Sequence, residues 1–128
     1  MAMAETVLVV DDSMLIRHTI CRFLEERGFQ VESATNGREA LEVLTRSLPT
    51  LIVTDLQMPQ MNGSELITEL KACPETAAIP IVIVAARSGA REGQMETRAQ
   101  FVIYKDIDID EQLNKAITDL YDNHFSGS

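Results

Sequence analysis

Four residues in this sequence could do chemistry together: Asp11, Asp12, Asp55 and Lys105. Each stands directly after a short apolar run. Asp11-Asp12 follows Val7-Leu8-Val9-Val10, Asp55 follows Leu51-Ile52-Val53-Thr54, and Lys105 follows Phe101-Val102-Ile103-Tyr104. Carboxylates gathered at neighbouring strand ends repel one another, by about 4 kcal/mol for two unit charges ~4 Å apart at an effective dielectric of ~20. Such a group stays together only when a cation or shared protons neutralise it. An all-oxygen donor set, with no His or Cys nearby in sequence, favours a hard ion, Mg²⁺ or Mn²⁺. An octahedral ion held by few carboxylates keeps several waters, one of which can give way to a phosphoryl oxygen. Lys105 adds a second positive charge for that same group. Metal, ammonium and nucleophilic carboxylate are the components of in-line phosphoryl transfer. Asp55 is the natural nucleophile, because the two acids after the first strand are left to bind the ion.

Taken singly, each residue has a plainer reading. Asp12-Ser13 would serve as a helix N-cap, Asp55 as a turn former and Lys105 as an exposed charge. Their joint placement at the ends of three strands is what argues for a site.

The elements that must position them alternate along the chain. The run at residues 7–10 is apolar and β-branched, as expected of a parallel strand covered on both faces. A helix follows with Ile16, Ile20, Phe23 and Leu24 on one side, ended by Gly28. Phe29 to Ala34 reads as a second, more polar strand near the sheet edge. The next helix opens around Asn36-Gly37, presents Ala40, Leu41, Leu44 and Leu48, and stops at Pro49. After the third strand, Leu66, Ile67, Leu70 and Cys73 mark a third helix closed by Pro74. Ile81-Val82-Ile83-Val84 is the fourth strand, and residues 101–104 are the fifth. Between them, Arg87 to Arg98 holds Gly89 and Gly93 and few large apolar residues, and each glycine costs about 1 kcal/mol of helix stability relative to alanine. A fourth helix there is expected to be weak, short or mobile. The last helix has Asp108 and Glu111 at capping-box spacing and Leu113, Ala116, Ile117, Leu120 and Tyr121 on its apolar face. Repeated βα units imply an α/β sandwich around a parallel sheet, with sites outside the carboxyl ends of the strands.

Bulk properties bound the rest. The 128 residues suffice for one domain, expected to have its core at about 6–124 with short disordered ends. A formal charge of −9 disfavours direct nucleic-acid binding. No stretch approaches the roughly 20 apolar residues of a membrane helix, and no secretory signal opens the chain, so a cytoplasmic location and no membrane partner are expected. Cys21 and Cys73 read as buried reduced thiols. His18 and His124 read as isolated surface or packing residues on helices, and Met58 and Met61 as packing. Two acids after the first strand would repel the phosphate of FMN, which argues against a flavin carrier.

The residues quoted so far, and two motifs in particular, give the chain a resemblance to the receiver domains of bacterial response regulators, including the single-domain chemotaxis type. Asp55-Leu56-Gln57-Met58-Pro59-Gln60-Met61-Asn62-Gly63 resembles the family's D-x-x-M-P-x-M-x-G signature, and Val9-Val10-Asp11-Asp12-Ser13 its acidic pair. The likeness runs from about Thr6 to Tyr121. It implies a doubly wound (βα)5, flavodoxin-like sandwich with strand order 2-1-3-4-5. It further implies Asp12 as a direct metal ligand, Asp11 as a ligand through water, Asp55 as ligand and phosphoacceptor, the Gln57 carbonyl as another ligand, and Lys105 as partner of the phosphoryl group. The implied donor is a phosphohistidine on a sensor histidine kinase or phosphotransfer protein, and the domain would catalyse only its own phosphorylation and dephosphorylation.

Four departures fall on the output side of that pattern. Ala85 stands where the family has Ser or Thr, Val102 stands at the aromatic switch position, Asp106 replaces the proline after the lysine, and the connection between strands four and five is short. The hydroxyl missing at Ala85 would be worth roughly 1.5–3 kcal/mol as a hydrogen bond to a charged group. Three functions therefore compete: a phosphorylation-controlled switch acting on a partner or attached domain, an interaction module indifferent to phosphorylation, and a phosphate sink. The output partner, a weak homodimer, and a stand-alone protein as against the front of a longer regulator all stay open.

Overall fold

The computed structural model describes residues 5–86, 98–105 and 108–120. In chain order these form β1 (Thr6–Val10), α1 (Met14–Glu26), β2 (Gln30–Ala34), α2 (Gly37–Leu44), β3 (Leu51–Asp55), α3 (Gly63–Ala72), β4 (Ile81–Ala85), β5 (Phe101–Tyr104) and α4 (Ile109–Leu120). The five strands make one parallel sheet in the order β2-β1-β3-β4-β5. The expected weak helix between the fourth and fifth strands falls on residues 87–97, outside the described residues. Asp106, Tyr121 and His124 lie outside them as well.

Strands β1, β3 and β4 are apolar throughout because both their faces are covered. Val7, Val9, Val53, Val82 and Val84 pack under Ile20, Phe23 and Leu24 of α1 and Leu113, Ala116 and Ile117 of α4. Leu8, Val10, Ile52, Ile81 and Ile83 point the other way, under Ala40 and Val43 of α2 and Leu66, Ile67 and Leu70 of α3. Alternate residues thus feed two cores, one on each side of the sheet. The edge position expected of β2 is found, and its polar residues Gln30 and Ser33 are exposed.

The helix ends follow from local chemistry. Ser13 caps α1, its hydroxyl accepting from Ile16 N–H at 3.3 Å. The helix closes when Gly28, at φ +92°, turns the chain, with Phe29 N–H donating to the Leu24 carbonyl and Gly28 N–H to the Glu25 carbonyl. Asn36 caps α2, and Asn62 with Glu65 forms a reciprocal capping box on α3.

Two expectations need correction. Helix α2 ends at Leu44, so Leu48 is not on its buried face but 54% exposed, and Val43 fills the core place instead. Pro49 pushes Leu48, the residue before it, out of the helical region, and the helix has already closed upstream of that, at Thr45. Thr45 closes it, its hydroxyl donating to the Glu42 carbonyl at 2.6 Å. Cys21 and Cys73 are free thiols, as expected, but half-buried rather than buried. Cys73 ends α3 beside exposed Pro74 and Glu75, where no further helical turn covers it.

Candidate functional site

The carboxyl ends of β1, β3 and β5 meet at one edge of the sheet. Parallel pairing in register puts Val10 beside Thr54, and so brings the residues after them, Asp11 and Asp55, side by side. Asp11 is 1% and Asp55 3% exposed, while Asp12 sits at the solvent-facing mouth. One carboxylate oxygen from each of the three lies within 4.8 Å of the others. Lys105 completes the group: its Nζ donates to Asp55 Oδ2 at 2.8 Å and stands 3.4 Å from Asp11 Oδ2. All four residues singled out from sequence are therefore together.

Backbone groups hold the acids in place. Ser13 N–H donates to Asp11 Oδ1 at 2.8 Å, and Gln57 N–H to Asp55 Oδ1 at 3.3 Å. Arg17, one turn into α1, donates from Nη1 to the Asp11 carbonyl at 2.8 Å. The signature glycine has a steric reason: a Cβ on Gly63 would run into the Asp55 carbonyl and Leu56 Cα. A Cβ on Gly37 would lie 2.7 Å from Met61 Cγ, and Gly37 N–H donates to the Met61 carbonyl at 3.0 Å. The loop after β3 is thus pressed between β3 and the start of α2. Met58 and Met61 pack half-buried against the α2–α3 core, as expected.

Charge is unevenly compensated. Burial, with the neighbouring Asp55 charge adding to it, pushes the Asp11 carboxyl up to about 6, against the lowering effects of Ser13 N–H and Lys105. Burial alone would lower Lys105, but its hydrogen bond to Asp55 and the two carboxylate charges outweigh that and hold it above its ordinary value. Asp11 Oδ2 is buried and accepts no hydrogen bond, although the ammonium lies near it. One lysine facing three carboxylates leaves a donor set short of positive charge. Oxygen-only donors, one of them buried and unsatisfied, fit a small hard cation.

The output-side residues are placed as follows. Ala85 ends β4, is buried, and pairs with Tyr104 in register. Its carbonyl accepts from Lys105 N–H at 2.9 Å. Val102 and Tyr104 both pack half-buried on the α2–α3 side, whereas Phe101 packs on the α1–α4 side. Tyr104 therefore shares a face with Val102. His18 is exposed on α1.

Sequence reasoning did not single out Ser13 N–H, Arg17 or Gln112; the first two bond Asp11, and the Gln112 amide bonds the Tyr104 N–H and carbonyl beside Lys105. Arg17 had a usable signal, a cation one turn into the helix that follows the acidic pair. Gln112 had none.

A parallel 2-1-3-4-5 sheet with three acids and a lysine at its carboxyl edge defines a doubly wound α/β protein with an acidic pocket at its topological switch point. The family model of the response regulator receiver domain matches residues 7–118, and the chain belongs to that family. Among relatives, a 14.6 kDa protein of Leptolyngbya boryana is 37% identical over 98 residues, covering 77% of this chain and 75% of that protein. Response regulator Rre1 of Synechocystis is 33% identical over 114 residues, 87% of this chain but 49% of that protein. The chemotaxis response regulator CheY4 of Vibrio cholerae has the same fold, with a TM-score of 0.81 at 28% identity over 92% of this chain and 99% of that one. The chain thus spans about half of Rre1 and essentially all of CheY4. Among the described residues no helix is long and apolar enough to cross a membrane.

Proposed function

We propose that this chain is a phosphoacceptor domain that takes a phosphoryl group from a phosphohistidine onto Asp55. The observation that carries the proposal is the contact of Lys105 Nζ with Asp55 Oδ2 at 2.8 Å, beside two further acids. Asp11, Asp12 and Asp55, with the Gln57 carbonyl, would hold Mg²⁺ or Mn²⁺. When bound, such an ion supplies positive charge against the phosphoryl oxygens. The chain's own residues do the remainder. Asp55 forms the new P–O bond as the donor's P–N bond breaks, and the electron pair leaves with the imidazole nitrogen, which takes up a proton. Lys105 turns from Asp55 to the incoming phosphoryl oxygens and stabilises their charge. Asp11 and Asp12 keep the pocket negative enough to favour a cation and too negative for a free anion.

The donor would be a histidine kinase or phosphotransfer protein, and the location cytoplasmic. The domain would have no enzymatic activity beyond forming and losing its own acyl phosphate. Incubation with phosphoramidate and Mg²⁺, read by intact mass, tests this. One phosphoryl adduct is expected, lost on Asp55→Asn or on chelation. An adduct that survives Asp55→Asn would contradict the assignment.

A second reading has one observation in its favour. Ala85 is buried and offers no hydroxyl where a phosphoryl group on Asp55 would be sensed. A domain that accepts phosphate without transmitting its state would act as a phosphate sink or as a binding module indifferent to phosphorylation. Equal affinity for an output partner with and without beryllofluoride would favour that reading.

A further inference from the structure

Strand β5 is an outer strand, paired with β4 on one side and with no strand on the other among the described residues. An outer strand leaves alternate backbone groups without ladder partners. At Tyr104 one side chain takes both. Gln112, in the first turn of α4, accepts from Tyr104 N–H at its Oε1 at 3.0 Å. Its Nε2 donates to the Tyr104 carbonyl at 2.8 Å, and more weakly to the Asp108 carbonyl at 3.3 Å. A primary amide offers one acceptor and one donor side by side, as the backbone of a further strand would. Only the primary amides, Gln and the shorter Asn, can do this with an acceptor and a donor side by side: aspartate and glutamate lack the donor, and lysine and arginine the acceptor.

The consequence falls on the next residue. The peptide between Tyr104 and Lys105 is held at both ends, its carbonyl by Gln112 and its N–H by the Ala85 carbonyl at 2.9 Å. A planar peptide fixed through both polar atoms leaves little freedom to the Cα that follows it. From that Cα the Lys105 side chain reaches Asp55 and Asp11. Gln112 itself is anchored, because Leu113, Ala116 and Ile117 on the same helix are buried in the α1–α4 core.

We propose that Gln112 is a positioning residue, clamping the outer edge of β5 so that Lys105 is pre-aimed at Asp55. The geometry stands by itself, while the effect on phosphorylation rests on Asp55 being the acceptor. Pre-aiming matters because a flexible lysine would have to be ordered during the reaction, which slows it.

The test uses the full chain with Gln112→Met, which keeps the length of the side chain and removes both hydrogen bonds, and Gln112→Glu, which keeps only the acceptor. In the metal-free protein, NMR follows exchange of the Lys105 amide and of its ammonium protons. Loss of the clamp is expected to speed both by about tenfold, the scale of one or two lost hydrogen bonds. Unchanged exchange overturns the clamp, whether or not Asp55 is an acceptor. Phosphorylation by phosphoramidate with Mg²⁺ is then compared in Lys105 and Lys105→Ala backgrounds. Gln112→Met is expected to slow the reaction about five- to tenfold in the first background and not at all in the second. An equal loss in both would show that Gln112 acts by some other route and overturn the proposal. Should Gln112→Met fail to fold, Gln112→Glu gives the same two readings. If the unsubstituted chain takes no phosphoryl group, the acceptor reading falls and the exchange data alone decide the clamp.

Discussion

The carboxyl edge of the sheet has two halves built to different standards. Around Asp11 and Asp55 the backbone is tightly held: N–H groups fix one oxygen of each carboxylate, Arg17 ties the β1 end, and Gly63 and Gly37 allow backbone to approach where no side chain would fit. Around Ala85 the described side chains packed on that face include a half-buried valine, Val102, and a half-buried tyrosine, Tyr104. The two halves are joined by Lys105, whose side chain belongs to the first and whose backbone belongs to the second. Under the proposed function, the acidic half would carry phosphoryl acceptance, while the described strand ends beside it present hydrophobic residues at Ala85 and Val102.

The contrast can be attacked in order of expected effect. Gly63→Ala strikes the tightly held half, because the added methyl meets the backbone of Asp55 and Leu56, which lie in a central strand and its exit. A loss of roughly 3 kcal/mol in urea unfolding is expected. A loss under about 1 kcal/mol would mean that the loop is not held as tightly as described. Lys105→Met removes the charge that joins the halves and should slow phosphorylation by phosphoramidate about 100-fold, the usual scale for one transition-state charge contact.

Asp11→Asn should act in the opposite direction on stability. The carboxyl of Asp11 is raised from 3.8 to about 6, so the folded state binds its proton more tightly than the unfolded state does. Above pH 6 the ionised, buried group therefore costs stability, and the cost is relieved as pH falls from 6 towards 4. In chelator at pH 7.5 the Asn variant is expected to be more stable by about 1–3 kcal/mol, an advantage that disappears near pH 4. Mg²⁺ should stabilise the parent chain more than the variant. An advantage independent of pH would place the strain elsewhere.

Ala85→Thr addresses the sparse half. Its hydroxyl would add one hydrogen bond to a charged phosphoryl group, roughly 1.5–3 kcal/mol, and widen the set of amides that respond to beryllofluoride. No change in that set would show that the missing hydroxyl is not what limits transmission.

The sequence shows these features along the same division. Strands β1, β3 and β4 were legible because burial on both faces leaves a continuous apolar run, and the acids following them were conspicuous by contrast. The sequence pattern carries α2 too far, to Leu48, since helical spacing places that residue on the apolar face while the helix closes at Thr45, well before Pro49. Of the capping box that the spacing of Asp108 and Glu111 suggests, one half is seen, Glu111 N–H donating to Asp108 Oδ1 at 3.2 Å. Gln112 was invisible because its role depends on where α4 lies beside β5, which no local pattern encodes. The half-burial of Cys21 and Cys73 was likewise set by which turns of neighbouring helices reach them.

The most direct test of the acceptor pocket is an amide NMR titration with Mg²⁺ and then beryllofluoride, run on this chain and on Asp55→Asn. Large shifts are expected at Asp11 to Ser13, at Asp55 to Gln57 and at Lys105, absent from the Asp55→Asn protein. Shifts that persist in Asp55→Asn, or no shifts at saturating ligand, would contradict an acceptor role for Asp55.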